Sequence, residues 1–244
     1  LLTTGAYLLD ENGNRMFDYG EYRPNSYAKY NLLASMPHDK SEIKRDAASL
    51  RGFIQITPIE GLSYKMSLNI DYNNKTNHDY TNPTYGTGSI SGGSVSKYNY
   101  RTTGMTFNNV INYQHTFNDV HDIRMMAGQE YYEYNTSNFG GSRSKVIMDG
   151  FYEPDAASSL GDFGGNNDQY KLLSFFGSAE YSYNQKYFLS ASVRSDGSSR
   201  FHPDHRWGTF WSVGASWKIM QEEFMKDTSD WLSNLSLRAS YEIG

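Results

Sequence analysis

The chain of 244 residues carries a net charge of −5, no cysteine, and 21 tyrosines within an aromatic content of 16%. The lack of cysteine excludes disulfide frameworks, thiolate metal sites and cysteine nucleophiles, and the negative charge without a lysine or arginine cluster argues against a nucleic-acid partner. No apolar run approaches the ~20 residues of a membrane-spanning helix, but membrane β-barrels stay possible because alternation marks their strands.

The first 45 residues are polar and irregular. Within them, Asn12-Gly13 predicts the type I′ turn of a small hairpin, because both residue types accept positive φ angles. Asp10, Asn12 and Asn14 also have the spacing of the first ligands in a calcium loop. Arg15 occupies the position where such a loop needs glycine, so a plain turn is favoured.

Alternating apolar and polar side chains predict strands from residue 46 onward, because successive side chains of a strand point to opposite faces. The first strand covers residues 46–57 and ends before Pro58, which cannot donate to a strand ladder. Glu60-Gly61 then supplies a tight turn into a second strand over residues 62–72. That strand alternates most cleanly.

Six further strands bring the predicted total to eight, and they cover residues 98–117, 121–135, 173–183, 187–193, 207–219 and 235–243. Asn118-Asp119 and Asn184-Gln185 are tight turns, whereas residues 73–97 and 136–168 are predicted to be long loops. The stretch from Met220 to Leu232 is the only helix-like connector. Short turns at one end and long loops at the other are typical of an up-and-down outer-membrane barrel.

Aromatic side chains concentrate near both ends of the predicted strands. Those near the short turns are Tyr64, Tyr113, Phe117, Tyr181, Tyr183, Tyr187 and Trp217, and those near the long loops are Tyr72, Tyr98, Tyr100, Tyr131, Trp207, Trp211 and Tyr241. Two aromatic belts are expected at two membrane interfaces. The charged residues of the well-phased strands fall on the polar face, as expected when one lysine or arginine against lipid costs about 2–4 kcal/mol.

The last quarter of the chain resembles the SusC/RagA family of TonB-dependent outer-membrane transporters. The motif residues are Asp196, Gly197, Ser198, Ser199, Arg200 and Phe201, then Arg206, Trp207 and Gly208. The resemblance continues through Glu223-Phe224-Met225, Trp231-Leu232 and Leu237-Arg238-Ala239-Ser240-Tyr241. Two positions depart from the family pattern, since Trp211 stands where proline is usual and His205 where asparagine is common.

This resemblance implies an all-β fold: an antiparallel transmembrane barrel segment with about eight of about 22 strands in a plugged barrel. It implies TonB-dependent import of oligosaccharides, or else peptides, across the outer membrane of a Bacteroidota-type bacterium. The implied partners are a SusD-like surface lipoprotein, TonB through a segment outside this chain, and outer-membrane lipid. Residues 1–45 would be an extracellular loop region with the small hairpin, and residues 46–244 the barrel segment, without the plug and the barrel-closing strands.

The sequence predicts no catalytic, cofactor-binding or metal-binding residue, and no enzyme. It contains neither a Gly-x-Ser-x-Gly elbow nor a phosphate-binding loop. The one histidine cluster, His202-Pro203-Asp204-His205, lacks the third ligand that a zinc site needs. Candidate substrate-binding residues are the loop tyrosines Tyr27, Tyr30, Tyr80 and Tyr85. Their rings could stack on sugars, although packing of the loops against each other or against the lipoprotein is the favoured interpretation.

Two alternatives remain beside the importer. A soluble β-sheet carbohydrate-binding module would explain the tyrosine, asparagine and glycine content, but not two aromatic belts or loops that are long at one end only. A complete eight-stranded barrel would be filled by side chains. The predicted inward residues are too small to fill it: Ser190, Ser192, Ser212, Gly214, Ser216 and Ser236. The wall of a wide lumen is therefore favoured.

Overall fold

The computed structural model describes residues 7–9, 11–17, 36–86, 88–228 and 231–243. The chain divides into two compact units. The first unit consists of Leu1–Ala48, Tyr72–Thr102 and Thr136–Asp168, and the second of Ser49–Asp71, Thr103–Asn135 and Gln169–Gly244.

Strands make up most of the described residues. They are β1 (Tyr7–Leu9), β2 (Arg15–Phe17), β3 (Lys40–Ile59), β4 (Leu62–Thr81), β5 (Ser94–Phe117), β6 (His121–Val146), β7 (Ala157–Tyr183), β8 (Tyr187–Ser198), β9 (Trp207–Lys218) and β10 (Ser236–Ile243). A single helical turn, Gly88–Ser91, precedes β5, and short 3-10 helices lie at Pro154–Ala156, Pro203–His205, Ile219–Gln221 and Glu223–Thr228. No helix in the described ranges is long and apolar enough to cross a membrane.

The strands β3 to β10 form one eight-stranded sheet in which each strand pairs with its neighbours in sequence. The register is antiparallel, with Tyr187 opposite Trp217 and Ala239 opposite Ala215. The strands β1 and β2 pair separately, with Leu9 opposite Arg15. Gly13 has the predicted positive φ of 80°, but the loop is longer than a two-residue type I′ turn.

The predicted tight turns are present. Asn118 and Asp119 have φ angles of 51° and 60°, and Asn184 and Gln185 have 51° and 55°. Such paired positive angles are those of type I′ turns, whose twist matches that of the flanking strands. Gly61, in the third turn, has a φ of 78°, which glycine adopts without steric cost.

The two predicted long loops were wrong in their extent, because strands occupy most of both stretches. β4 continues to Thr81 and β5 already begins at Ser94; β6 continues to Val146 and β7 begins at Ala157. Likewise, β3 begins at Lys40 rather than at residue 46. These segments carry polar residues on both faces, so they pair by backbone hydrogen bonds without the alternation that reveals a half-buried strand.

The fully buried apolar side chains of the described residues lie in the first unit, and they are Tyr80, Val95, Ala156 and Ala157. Many large apolar side chains of the second unit are exposed, including Leu189 at 56% and Leu237 at 60%. A soluble protein rarely leaves so extended an apolar surface uncovered.

Candidate functional site

The register of β7 to β10 separates the second unit into two faces. Tyr181 lies opposite Leu189, Leu189 opposite Ala215, and Ala215 opposite Ala239, so the odd-numbered residues share one face. Even-numbered residues such as Ser190, Gly214 and Ser240 share the other face. The first is hereafter the apolar face and the second the polar face.

Two rows of aromatic rings bound the apolar face. In one row, the ring centroids of Tyr183 and Tyr187, and those of Tyr187 and Trp217, are 6.2 Å apart. In the other, Phe175 lies 6.0 Å from Trp207, and Trp211 lies 5.7 Å from Tyr241.

The distance between the two rows follows from the register. Tyr187 faces Trp217 at one end of β8, and Gly197 faces Trp207 at the other. Ten residues at about 3.3 Å each, tilted by about 45°, span roughly 23 Å. This agrees with the apolar band about 25 Å tall of outer-membrane barrels.

The polar face carries a cluster of charged side chains around Arg194. Its guanidinium donates to the carboxylate of Asp196 at 2.8 Å and lies 3.5 Å from that of Glu130. It also donates to the hydroxyl of the buried Ser174 at 3.1 Å. Because these groups are hydrogen-bonded to one another on a half-exposed wall, the cluster is a hydrophilic surface.

Three tyrosines form a second cluster on this face. The ring of Tyr170 lies 5.8 Å from that of Tyr132 and 5.2 Å from that of Tyr134, and the Arg200 guanidinium lies 4.7 Å above it. Sequence analysis did not single out these tyrosines, although Tyr132 and Tyr134 are in phase with Glu130. Tyr132 and Tyr134 lie within the strand predicted over residues 121–135, and extending the phase of the strand predicted over residues 173–183 back to Tyr170 would have added the third.

The family-motif residues build the turn between β8 and β9. The Ser199 hydroxyl accepts from the Lys171 backbone N–H at 2.8 Å, and the Ser199 N–H donates to the Lys171 carbonyl at 2.9 Å. Further along, the Ser198 N–H donates to the Arg206 carbonyl at 3.0 Å. Arg206 in turn donates through Nε to the carbonyl of the exposed Phe201 at 3.2 Å.

Two glycines complete the motif. A Cβ atom on Gly197 would lie 2.9 Å from the indole ring of Trp207, so this ring packs directly on the glycine backbone. Gly208 lies opposite Asp196 in the β8–β9 pairing. The motif residues therefore lie in β8, in β9 and in the turn between them, and their structural role stays a prediction.

The structure describes two of the four candidate substrate-binding tyrosines, Tyr80 and Tyr85. Tyr27 and Tyr30 lie outside the described residues. Tyr80 is 2% exposed and donates to Asp149 at 2.7 Å, and its ring meets that of Tyr152 edge-on at 4.8 Å. Tyr85 lies 4.5 Å from the ring of His38. For Tyr80, which lies near the end of β4, this is packing against the connection between β6 and β7, and a substrate role for the four stays a prediction.

Residues 147–156, here called the strap, cross the strands around Tyr80. His78 Nε2 lies 2.6 Å from the Tyr152 carbonyl oxygen, and Lys97 donates to Glu153 at 2.9 Å. The hydrogen bond from Lys97 holds the pKa of the Glu153 carboxyl below its usual value. The strap is thus attached to β4 and β5 by side chains far away in sequence.

We expect Tyr80→Phe to loosen the strap without unfolding the chain. The substitution removes the bonds to Asp149 and to the Gly150 N–H, and a lost hydrogen bond costs about 0.5–1.5 kcal/mol. Amide exchange over residues 147–153 should rise roughly 2- to 10-fold. Tyr152→Phe, which keeps the ring against Tyr80, is the control, and equal exchange in both variants would contradict the assignment.

The histidine cluster lies in the turn between β8 and β9. His202 lies 3.4 Å from Asp204 within the β8–β9 turn, and both side chains are well exposed. No group of three histidine, aspartate or glutamate side chains with metal-binding geometry occurs in the described ranges.

Glu222 links the β9–β10 connector to one aromatic row. Its Oε1 accepts from the Tyr187 hydroxyl at 2.5 Å and from the Trp217 indole N–H at 3.0 Å. Its Oε2 accepts from Lys186 Nζ at 3.2 Å. The pKa of the Glu222 carboxyl is lowered mainly by the hydrogen bond from Tyr187 and, to a smaller extent, by the one from Trp217. Sequence analysis missed this residue because it lies outside every strand and has no periodic signal.

Acidification is expected to release the connector. Because the pKa of Glu222 is lowered in the folded state, its contribution is present at neutral pH and is lost as the pH falls below about 4. A nitroxide on Met225→Cys should gain mobility at that pH, and in Glu222→Gln it should be mobile already at pH 7. The control is Glu223→Gln, since Glu223 pairs with Lys226 within the connector. If label mobility rose at the same pH in Glu222→Gln as in the unsubstituted protein, Glu222 would not hold the connector.

Comparison with known proteins gives one family. The profile described as "TonB dependent receptor-like, beta-barrel" matches residues 2–243. TonB-dependent receptor P39 of Formosa agariphila is 30% identical over 92% of this chain and 22% of its own length. TonB-dependent receptor SusC of Bacteroides thetaiotaomicron is 27% identical over 98% of this chain and 24% of its own length.

Solved structures give the same result. The RagAB peptide transporter superposes with a TM-score of 0.77 at 28% identity, covering 95% of this chain and 26% of that chain. The closed-closed state of the RagAB peptide importer superposes with a TM-score of 0.78 at 27% identity, covering 96% of this chain and 26% of that chain. The chain thus spans about a quarter of these relatives, and the predicted antiparallel barrel segment of about eight strands is confirmed.

Proposed function

The chain belongs to the TonB-dependent receptor-like β-barrel family, and from this premise we propose that it forms part of the wall of an outer-membrane importer of oligosaccharides. One observation carries the proposal: the apolar face is bounded by two aromatic rows, while the polar face carries charged, tyrosine and serine side chains. Lipid covers the first face, and the second lines the passage. The step performed is binding and translocation, with no bond broken.

The tyrosine cluster supports an oligosaccharide as the substrate. The rings of Tyr132 and Tyr134 both lie within 6 Å of the ring of Tyr170 along the polar face. Aromatic rings present flat apolar surfaces with a polar edge, which suits a sugar ring with its apolar faces and equatorial hydroxyls. Their place among polar side chains, away from lipid, makes this cluster a better candidate for substrate contact than the buried Tyr80.

Peptide import is the second candidate, and two observations favour it. The solved structures that superpose on this chain are described as a peptide transporter or importer. In addition, a groove of about 530 Å³ on the polar face is lined by Glu180 and Arg238, which suit the charged ends of a peptide.

The proposed protein works with partners that lie outside this chain. A SusD-like surface lipoprotein would cover the extracellular opening, and TonB would supply energy through a segment elsewhere in the full polypeptide. Residues 1–45 would be an extracellular region on the barrel segment formed by residues 46–244. This division follows the polar composition of the first stretch, and β3 begins within that stretch at Lys40.

The deciding experiment is uptake by cells that express the natural full-length polypeptide or lack it. The probes are fluorescent heptasaccharides of α-1,4-glucan, β-1,3-glucan and β-1,4-mannan, and a zwitterionic decapeptide. We expect uptake of at least one heptasaccharide, lost in the deletion strain and after an uncoupler collapses the proton-motive force. Uptake of the decapeptide alone would select the second candidate, and uptake of no probe would overturn both.

Surface proteolysis tests the orientation. The longer connections between β4 and β5 and within the strap should be cut in intact cells, because the proposed orientation exposes them outside. The turns at Gly61, Asn118-Asp119 and Asn184-Gln185 should be cut only after the outer membrane is permeabilised. The reverse pattern would invert the barrel segment.

A further inference from the structure

The connector between β9 and β10 differs from the other connections at its end of the sheet. Gly61, Asn118-Asp119 and Asn184-Gln185 close tight turns, whereas this connector extends over residues 219–235 with two 3-10 helices. It carries two large and exposed apolar side chains, Phe224 at 67% and Trp231 at 76%. Neither the wall of the passage nor the substrate clusters account for them.

The connector has a defined structure in its described part. The Met220 N–H donates to the Leu235 carbonyl at 3.2 Å and closes its two ends. The Thr228 hydroxyl donates to the Met225 carbonyl at 2.7 Å. The Thr228 carbonyl accepts from the N–H groups of Trp231 and Leu232 at 3.3 and 3.0 Å. Phe224 and Trp231 are therefore held in place by an ordered backbone while their rings stay uncovered.

The connector is also attached to the apolar face rather than to the polar face. Its Glu222 carboxylate accepts from Tyr187 and Trp217, whose rings stack at 6.2 Å in the aromatic row at the short-turn end. Both are odd-numbered residues opposite each other in the register. The connector therefore continues the row that borders the apolar band.

An ion pair lies on one side of the second 3-10 helix of the connector. Glu223 and Lys226 form an ion pair at 3.1 Å, and their side chains are 85% and 72% exposed. In a 3-10 helix residues three apart lie above one another, so this pair marks one side of Glu223–Thr228. Phe224 lies a third of a turn away. A segment that carries charged side chains beside an exposed aromatic ring suits the boundary between lipid and water.

We propose that the β9–β10 connector is an interfacial membrane anchor, with the rings of Phe224 and Trp231 inserted among phospholipids at the short-turn end. The proposal rests on the proposed membrane location. The two rings contact lipid, because the connector continues the aromatic row that already marks this interface, where tryptophan is enriched. Glu222 sets the angle at which the connector leaves the sheet.

Accessibility of single nitroxide labels tests this directly. The natural full-length polypeptide, with any other cysteine replaced by serine, is reconstituted in vesicles of phosphatidylethanolamine and phosphatidylglycerol. Labels are placed on Phe224→Cys, Trp231→Cys, the neighbouring Glu223→Cys, and Leu189→Cys on the apolar face. Collision with oxygen reports lipid, and collision with a nickel chelate reports water.

We expect labels 224 and 231 to have an oxygen-to-nickel ratio several-fold above that of label 223, and closer to that of label 189. Water-like ratios at 224 and 231 beside a lipid-like ratio at 189 would overturn the anchor and leave the barrel wall intact. Shielding of 224 and 231 from both reagents would overturn it in favour of a protein contact. A water-like ratio at 189 would instead refute the membrane location.

Discussion

Ala191→Arg is expected to destabilise the protein by about 2–4 kcal/mol, the cost of an arginine facing lipid near the middle of the membrane. Ala191 lies opposite Val213 on the apolar face, between the two aromatic rows. Because a typical domain is stable by only about 5–15 kcal/mol, this change removes a large part of the total. Urea titration of the full-length protein folded into lipid vesicles measures it.

The matched control is Ser190→Arg, at nearly the same depth on the opposite face. Ser190 pairs with Glu180 in the register and lines the groove of about 530 Å³. A guanidinium there has space, water and a carboxylate partner, so we expect a change within about 0.5 kcal/mol. Equal losses in the two variants would mean that the apolar face does not contact lipid.

The part of the fold that could be predicted from sequence is the part with one apolar and one polar face. Apolar and polar residues alternate regularly in β8, β9 and β10, since a lipid-facing wall needs an apolar residue at every second position. The tight turns could be predicted as well, because Asn-Asp, Asn-Gln and Glu-Gly accept the positive φ angles that such turns need.

Strand extensions beyond the apolar band could not be predicted in this way. At the start of β3, Lys40 pairs with Glu42 on one face, while Ser41 bonds to Asp79 on the other. With water on both faces no periodicity is selected, and the sequence reads as a loop. Backbone pairing with a neighbouring strand nonetheless keeps the segment extended.

The candidate sites differ in the same way: local alternation predicts some of them, and contacts between distant residues form the others. The alternation of apolar and polar residues in β8 predicted which of its side chains lie on the polar face. Tyr80 and its partner Asp149, by contrast, are 69 residues apart, and no local pattern encodes that contact. The role of Glu222 depends on the ends of β8 and β9 meeting at Tyr187 and Trp217. Such contacts follow from the register of the sheet, which a single sequence shows only indirectly.

Gly197→Val is the second change with a large expected effect. The φ of Gly197 is not positive, so a side chain is compatible with its backbone, and the obstacle is steric. A Cβ atom there would lie 2.9 Å from the indole of Trp207, whose ring stacks on Phe175 at 6.0 Å. Valine must displace this ring, and overpacking of this kind costs about 1–3 kcal/mol.

Gly52→Val is its control, because a Cβ atom at Gly52 meets nothing within 4 Å. Valine favours strands, so we expect this variant to unfold at the same or a higher urea concentration. If Gly197→Val also keeps full stability, the glycine of the family motif is not required by Trp207. The expected loss, by contrast, would show that an aromatic ring packed on a strand glycine holds β8 and β9 in register where one aromatic row borders the apolar band.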